Sequence, residues 1–125
     1  IITGGSSGIG RATARLLTRR GAHVSIIARR QELLDEAIAE FEGLRQGQAQ
    51  RLRAYSADLT DWEQAQAAVA ALTADDFPLD ILVNAAGFAH PGYVEELPLE
   101  IFHRTMDVDF FGTLHPIKAV LPVMI

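Results

Sequence analysis

The strongest chemical signal lies near the start of the chain. Thr3-Gly4-Gly5-Ser6-Ser7-Gly8-Ile9-Gly10 sets glycines at 4, 8 and 10 between a short apolar opening, Ile1 to Thr3, and a helical pattern. Glycine permits a tight turn and lets backbone N–H groups approach a diphosphate. The N-terminus of the following helix adds positive dipole character at the same place. Gly4, Ser6, Ser7, Gly8, Ile9 and Gly10 are therefore candidate phosphate contacts. A flexible glycine-serine turn is the plainer reading, and the flanking strand and helix argue against it.

A second signal follows at His23 to Ala28, an apolar stretch ending in Arg29-Arg30. A carboxylate at that strand end would bond the ribose hydroxyls of NAD, whereas a cation suits the 2′-phosphate of NADP. Arg29 and Arg30 are candidates for that contact, with Ser6 or Ser7 as a further donor; two solvated arginines before a helix are the alternative. Asp58-Leu59 follows the third apolar stretch. Its carboxylate suits the adenine amino group and its leucine the ring, although Asp58 also suits a helix cap. Asn84-Ala85-Ala86-Gly87 leaves a fourth stretch, where small residues let a flat cofactor lie against a sheet edge. Asn84 there suits bridging of neighbouring strands, and Gly87 close approach.

These candidates need a framework, and the chain alternates strand and helix throughout. Strands are expected at Ile1 to Thr3, His23 to Ala28, Arg51 to Ala57 and Leu79 to Ala85. Helices are expected from Gly8 to Arg20, with Ile9, Ala12, Leu16 and Leu17 inward, and from Gln31 to Phe41, with Leu34, Ala37, Ile38 and Phe41 inward. Gly21 suits the end of the first. Thr60 with Glu63 has the spacing of a capping box for a third, whose core side carries Trp62, Ala65, Val69 and Leu72. Pro98 suits the first turn of a long final helix, in which Pro116 and Pro122 should cause a kink or interruption. The fold class implied is α/β, a Rossmann-type doubly wound parallel sheet.

Bulk properties narrow the function. The 125 residues, 49% apolar, suit one unit with a real core. A net charge of −5 without a basic block gives no support to nucleic-acid binding. The absence of cysteine excludes disulfides and thiolate metal sites and makes a reducing, cytoplasmic setting the default. No apolar run reaches the roughly 18–20 residues of a membrane span. The four histidines share no metal-ligand spacing, so no metal is expected; only His90, in a loop over the expected pocket, invites a functional reading. The ends, Ile1-Ile2 and Met124-Ile125, read as cuts within apolar segments. The expectation is a nucleotide-binding unit over 1–125, incomplete at both ends.

Together these segments resemble the short-chain dehydrogenase/reductase family. Its TGxxxGxG motif is matched by Thr3 to Gly10, and its NAG-type motif by Asn84 to Gly87. Within it, the GGSSG turn, Ala28-Arg29 and the Phe110 to Pro116 run are similar to 3-ketosphinganine (3-ketodihydrosphingosine) reductases. The resemblance implies NADPH-dependent reduction of a ketone to an alcohol, with a long-chain lipid as one substrate class and 3-oxoacyl or steroid-type ketones as others. It implies a homo-oligomer, dimer or tetramer, commonly through the long helix near Pro98. For a eukaryotic sphingoid-base reductase it implies the cytosolic face of the endoplasmic reticulum membrane. The family works with Asn, Ser and a Tyr-x-x-x-Lys motif. The last three lie beyond residue 125, and Tyr55 and Tyr93 are not in that motif. The Asn position falls on Asp109, which when ionised accepts hydrogen bonds but does not donate them. That departure keeps open a second class, a non-catalytic NADP-binding sensor or regulator. A smaller departure is Leu33, where some sphingoid-base reductases have lysine.

Overall fold

The computed structural model describes residues 1–75 and 78–125. Among these the chain forms β1 (Ile2–Thr3), α1 (Gly8–Arg19), β2 (Val24–Ala28), α2 (Gln31–Glu42), β3 (Leu52–Ser56), α3 (Trp62–Leu72), β4 (Val83–Asn84), α4 (Leu99–Thr105), a π-helical segment (Met106–Phe111) and α5 (Gly112–Met124). The strands pair in parallel in the order β3-β2-β1-β4. The chain steps outward from β1 to β3, and α3 then carries it back to the far side of β1. This reversal leaves a crevice at the carboxyl ends of β1 and β4, the place where doubly wound sheets hold ligands.

Strand β2 shows why the sheet is covered on both faces. Successive side chains point to opposite sides, and both Ile26 and Ile27 are fully buried. Ile26 packs in one cluster with Ala14, Leu34, Ala37 and Phe41 of α1 and α2. Ile27 packs in the other with Ala57, Leu59, Ala65 and Ala68 on the α3 side. The inward face expected of α2 is the one observed, with Ile38 only partly buried.

The inward face of α1 differs from expectation. Its buried residues are Gly10, Ala14 and Thr18, supported by Leu17, while Ile9 is 80% and Leu16 50% exposed. Small side chains let the helix approach the sheet closely, and this requirement outweighs the hydrophobicity of Ile9, Ala12 and Leu16. At its end the N–H of Ala22 donates to Leu17 O and that of Gly21 to Thr18 O, a Schellman closure as expected of Gly21.

Four further expectations are corrected. The α3 cap is Asp61, whose carboxylate accepts from the Gln64 N–H at 3.1 Å, not a Thr60–Glu63 box. Trp62, expected in the core, is 38% exposed; it stands at the first position of α3 and lays its ring edge-on to His115. Of the expected fourth strand only Val83 and Asn84 form strand pairs, with Ile2 and Thr3, while Ile1 extends the contact by donating to Ile81 O and accepting from the Val83 N–H. The break expected at Pro116 or Pro122 comes earlier, in the π-helical segment, where the Gly112 N–H reaches back to Asp107 O. Both prolines remain inside α5. Pro116 leaves the Gly112 carbonyl without a helical donor at the seam where the helix already changes pitch.

Candidate functional site

The turn after β1 is held by steric necessity. Gly4 has φ +65°, and a Cβ there would lie 2.7 Å from the Ala85 carbonyl oxygen. A Cβ on Gly10 would lie 2.7 Å from the Gly4 carbonyl carbon and overlap its oxygen. Gly5, which the sequence reading did not single out, is equally constrained, since its Cβ would overlap Ile26. Gly8 is different: it has φ +52° and nothing within 4 Å of a built Cβ. The turn is thus packed against protein through Gly4, Gly5 and Gly10 and open at Gly8. Ser7 precedes α1 in an extended conformation and makes no side-chain cap.

Thr3 joins this turn to β4. Its buried Oγ1 accepts from the N–H groups of Ala85 at 3.1 Å and Ala86 at 3.2 Å. Strand bridging had been expected of Asn84 instead, but the buried Oδ1 of Asn84 has no hydrogen-bond partner among the described residues. Thr3 was missed because a threonine at a strand end is a common β residue and shows nothing in sequence of a neighbour more than eighty positions away.

A cleft of about 440 Å³ opens along the carboxyl edge of the sheet. It brings together Gly4, Ser6, Ser7, Gly8, Ile9, Arg29, Arg30, Asp58, Leu59 and Gly87. It also takes in Thr60, and Val108 and Gly112 from the terminal helical arm, none of which sequence spacing could place there. Gly10 lies behind the turn, Asn84 within the sheet, and Asp109 beside the rim; none of the three lines the cleft. Arg29 and Arg30 are exposed at its mouth, and neither belongs to an ion pair among the described residues. Asp58 has a local task as well: its Oδ1 accepts from the Thr60 N–H at 3.0 Å and hydroxyl at 2.8 Å. Asp58 is thus not the cap of α3, which is Asp61; its carboxylate shapes the turn that borders the cleft.

Asp109 sits in the π-helical segment and accepts from the Phe88 N–H at 2.7 Å, one residue beyond Gly87. The Phe88 ring lies under the Arg104 guanidinium, 4.3 Å from its centroid, and stacks with His90. The loop after β4 is thus held at its start by the terminal arm. Among the described residues no cluster of ligating side chains could hold a metal ion, and no helix is long and apolar enough to cross a membrane.

Known proteins share this arrangement. The short chain dehydrogenase family matches residues 1–125. A 3-dehydrosphinganine reductase of Danio rerio is 32% identical over 125 residues, covering 99% of this chain and 38% of the relative. A short-chain type dehydrogenase/reductase of Mycobacterium ulcerans superposes with a TM-score of 0.91 at 31% identity, covering 98% of this chain and 45% of that one. An NADPH-bound short chain oxidoreductase of Pseudomonas aeruginosa PAO1, described as containing an atypical catalytic center, does so with a TM-score of 0.90 at 35% identity, covering 98% and 48%. The chain spans about two fifths of the length of the curated relatives it matches. A match over every residue, on a parallel sheet whose order reverses beside a packed glycine turn, makes this chain a member of the short chain dehydrogenase family.

Proposed function

We propose that this chain is the nucleotide-binding part of an NADPH-dependent reductase that converts a ketone to an alcohol, with a long-chain 3-keto sphingoid base as its substrate. The observation that carries the nucleotide is the pairing of an open glycine turn with two uncommitted arginines in one cleft. A 2′-phosphate carries close to two negative charges, and no carboxylate stands at the end of β2 to repel it. The substrate class rests on the similarity to 3-dehydrosphinganine reductases.

The fit is physical at each position. The space beside Gly8 admits a diphosphate against the first N–H groups of α1. Arg29 and Arg30 take the 2′-phosphate at the mouth, Asp58 and Leu59 take the adenine, and Gly87 leaves room for the nicotinamide end. Gly10 and Asn84 serve from behind, by allowing the turn and by extending the sheet. When bound, NADPH supplies the hydride. Asp109, at the family's Asn position, acts by holding the Phe88 backbone and with it the floor beside Gly87. Ser, Tyr and Lys of the family's catalytic set belong to the part of such proteins beyond this chain. Exposed Phe110, Phe111, Ile117 and Leu121 on the terminal arm support a homo-oligomer built through it.

Titration of the full-length protein with NADPH and NADH tests the reading, with Arg29→Ala and Arg29→Asp alongside. Tight NADPH binding whose preference both substitutions erase supports it, and turnover of 3-ketosphinganine then tests the substrate. Binding of neither nucleotide refutes it. NADPH binding without turnover of any ketone would favour the sensor class, which only the departure at Asp109 recommends.

A further inference from the structure

We infer that His115 is a positioning residue for nucleotide binding, which holds the Leu59 end of the cleft against helix α5. The inference rests on the proposed NADPH reading of that cleft. His115 Nδ1 lies 2.9 Å from the carbonyl oxygen of Leu59, 56 positions earlier in the chain. A carbonyl only accepts, so Nδ1 carries the hydrogen and donates it. The ring is fixed on two sides, edge-on to Trp62 with centroids 5.8 Å apart and tilted against Phe111 at 5.8 Å. Pro116, the next residue, is fully buried and stiffens the backbone that carries it.

Leu59 is where this bond matters. Its side chain is buried with Ala57, Ala65 and Ala68, and it lines the cleft beside Asp58. The Asp58 to Thr60 turn is held from the α3 side, because the Asp58 N–H donates to Gln64 Oε1 at 2.9 Å. His115 holds the same turn from the α5 side. Besides the packing of α5 on α3, side-chain hydrogen bonds tie the terminal arm to both cleft loops, by Asp109 to the loop after β4 and by His115 to the loop after β3. Gly112, which lies between them on the arm, forms part of the cleft wall. Releasing His115 frees one wall at the end where Asp58 and Leu59 stand, without touching the glycine turn or Asp109.

The test uses the full-length protein and two ligands, NADPH and 2′,5′-ADP, the second reporting on the adenine end alone. His115→Phe keeps a ring and removes the donor. His115→Asn places an amide N–H where Nδ1 stood. Loss of one neutral hydrogen bond corresponds to about a fivefold weakening. That is the change expected for both ligands in the Phe variant, with kcat at saturating NADPH within about twofold of wild type. The Asn variant should restore both affinities. A merely structural role would lower the melting temperature while leaving both affinities of the Phe variant at the wild-type level, with nothing for asparagine to restore, and would overturn the inference. So would an Asn variant as weak as the Phe variant. If His115→Phe does not fold, His115→Leu takes its place under the same expectations. Failure of the wild-type protein to bind either ligand would instead refute the NADPH reading beneath it.

Discussion

The carboxylate of Asp109 accepts a 2.7 Å hydrogen bond from the backbone N–H of Phe88, so a residue of the π-helical segment holds the loop that leaves β4. The acceptor is Oδ1, and an asparagine would present an oxygen at the same place. Asparagine therefore keeps an acceptor for this contact but not the charge that strengthens it. Asp109→Asn should leave the Phe88 amide less protected from hydrogen exchange than wild type but better protected than alanine does. Asp109→Ala removes a charged acceptor, a loss of roughly 1.5 kcal/mol, and should speed exchange at Phe88 by about tenfold. Equal exchange rates in the two variants would show that the carboxylate does not hold the loop.

Gly8 and Gly10 belong to one motif but do different work, and alanine separates them. At Gly10 a Cβ meets the Gly4 backbone, which cannot yield without moving β1 or α1. Gly10→Ala should destabilise by about 3 kcal/mol, as overpacking against backbone does. At Gly8 a Cβ meets nothing, so alanine carries only the strain of a left-handed backbone, about 1 kcal/mol. That methyl nevertheless fills the space proposed for the diphosphate. Gly8→Ala should therefore weaken NADPH binding far more than it lowers the melting temperature, and Gly10→Ala the reverse. Titration and thermal unfolding of the two variants check the contrast.

The glycine turn and the alternation of elements were legible in the sequence because each depends on local steric demands. The covered face of α2 was legible for the same reason, since Leu34, Ala37 and Phe41 are both apolar and inward. Helix α1 was misread because its inward face is chosen by size: Gly10, Ala14 and Thr18 give a weaker apolar signal than Ile9 and Leu16, which face outward. The α3 cap was misread because Asp58, Thr60 and Asp61 are all capping types within four positions, and only geometry decides among them. The π-helical segment had no signature at all. It arises from a change in hydrogen-bond register, and its composition is ordinary. Val108, Gly112 and His115 reach the cleft region by way of that segment, so their places were not readable either.

Away from the cleft, Glu40 ties α2 to α1 by pairing with Arg11 at 2.9 Å and with Arg15. The Arg15 hydrogen bond, followed by Arg11, holds its carboxyl below the ordinary 4.5. A depressed folded-state value means that the contribution is present above the unfolded value and lost as pH falls through the folded one. Glu40→Gln should thus lower the melting temperature at pH 7, and the difference from wild type should shrink as pH falls below the ordinary glutamate range. The pair is partly exposed, so the effect should be small and should diminish in high salt. A difference constant from pH 7 to acid would mean that glutamine disturbs packing, not charge.

Thr3 provides the sharpest test of how the sheet reversal is held. Its hydroxyl is the acceptor for two consecutive backbone N–H groups, at Ala85 and Ala86, as the chain leaves β4. Valine matches threonine closely in shape, so Thr3→Val removes the acceptor while filling the same buried space. Two part-buried donors are then left without their partner, a loss of about 2 kcal/mol or more. Thr3→Ser keeps the oxygen and loses one methyl, a change of roughly 1 kcal/mol. Unfolding of the full-length protein in denaturant should therefore rank wild type above Ser and Ser above Val. Because Ala85 and Ala86 also line the cleft, the Val variant should bind NADPH more weakly than the Ser variant. If valine proves as stable as serine, pairing of Val83 and Asn84 with β1 suffices to hold the reversal, and the threonine hydroxyl is dispensable.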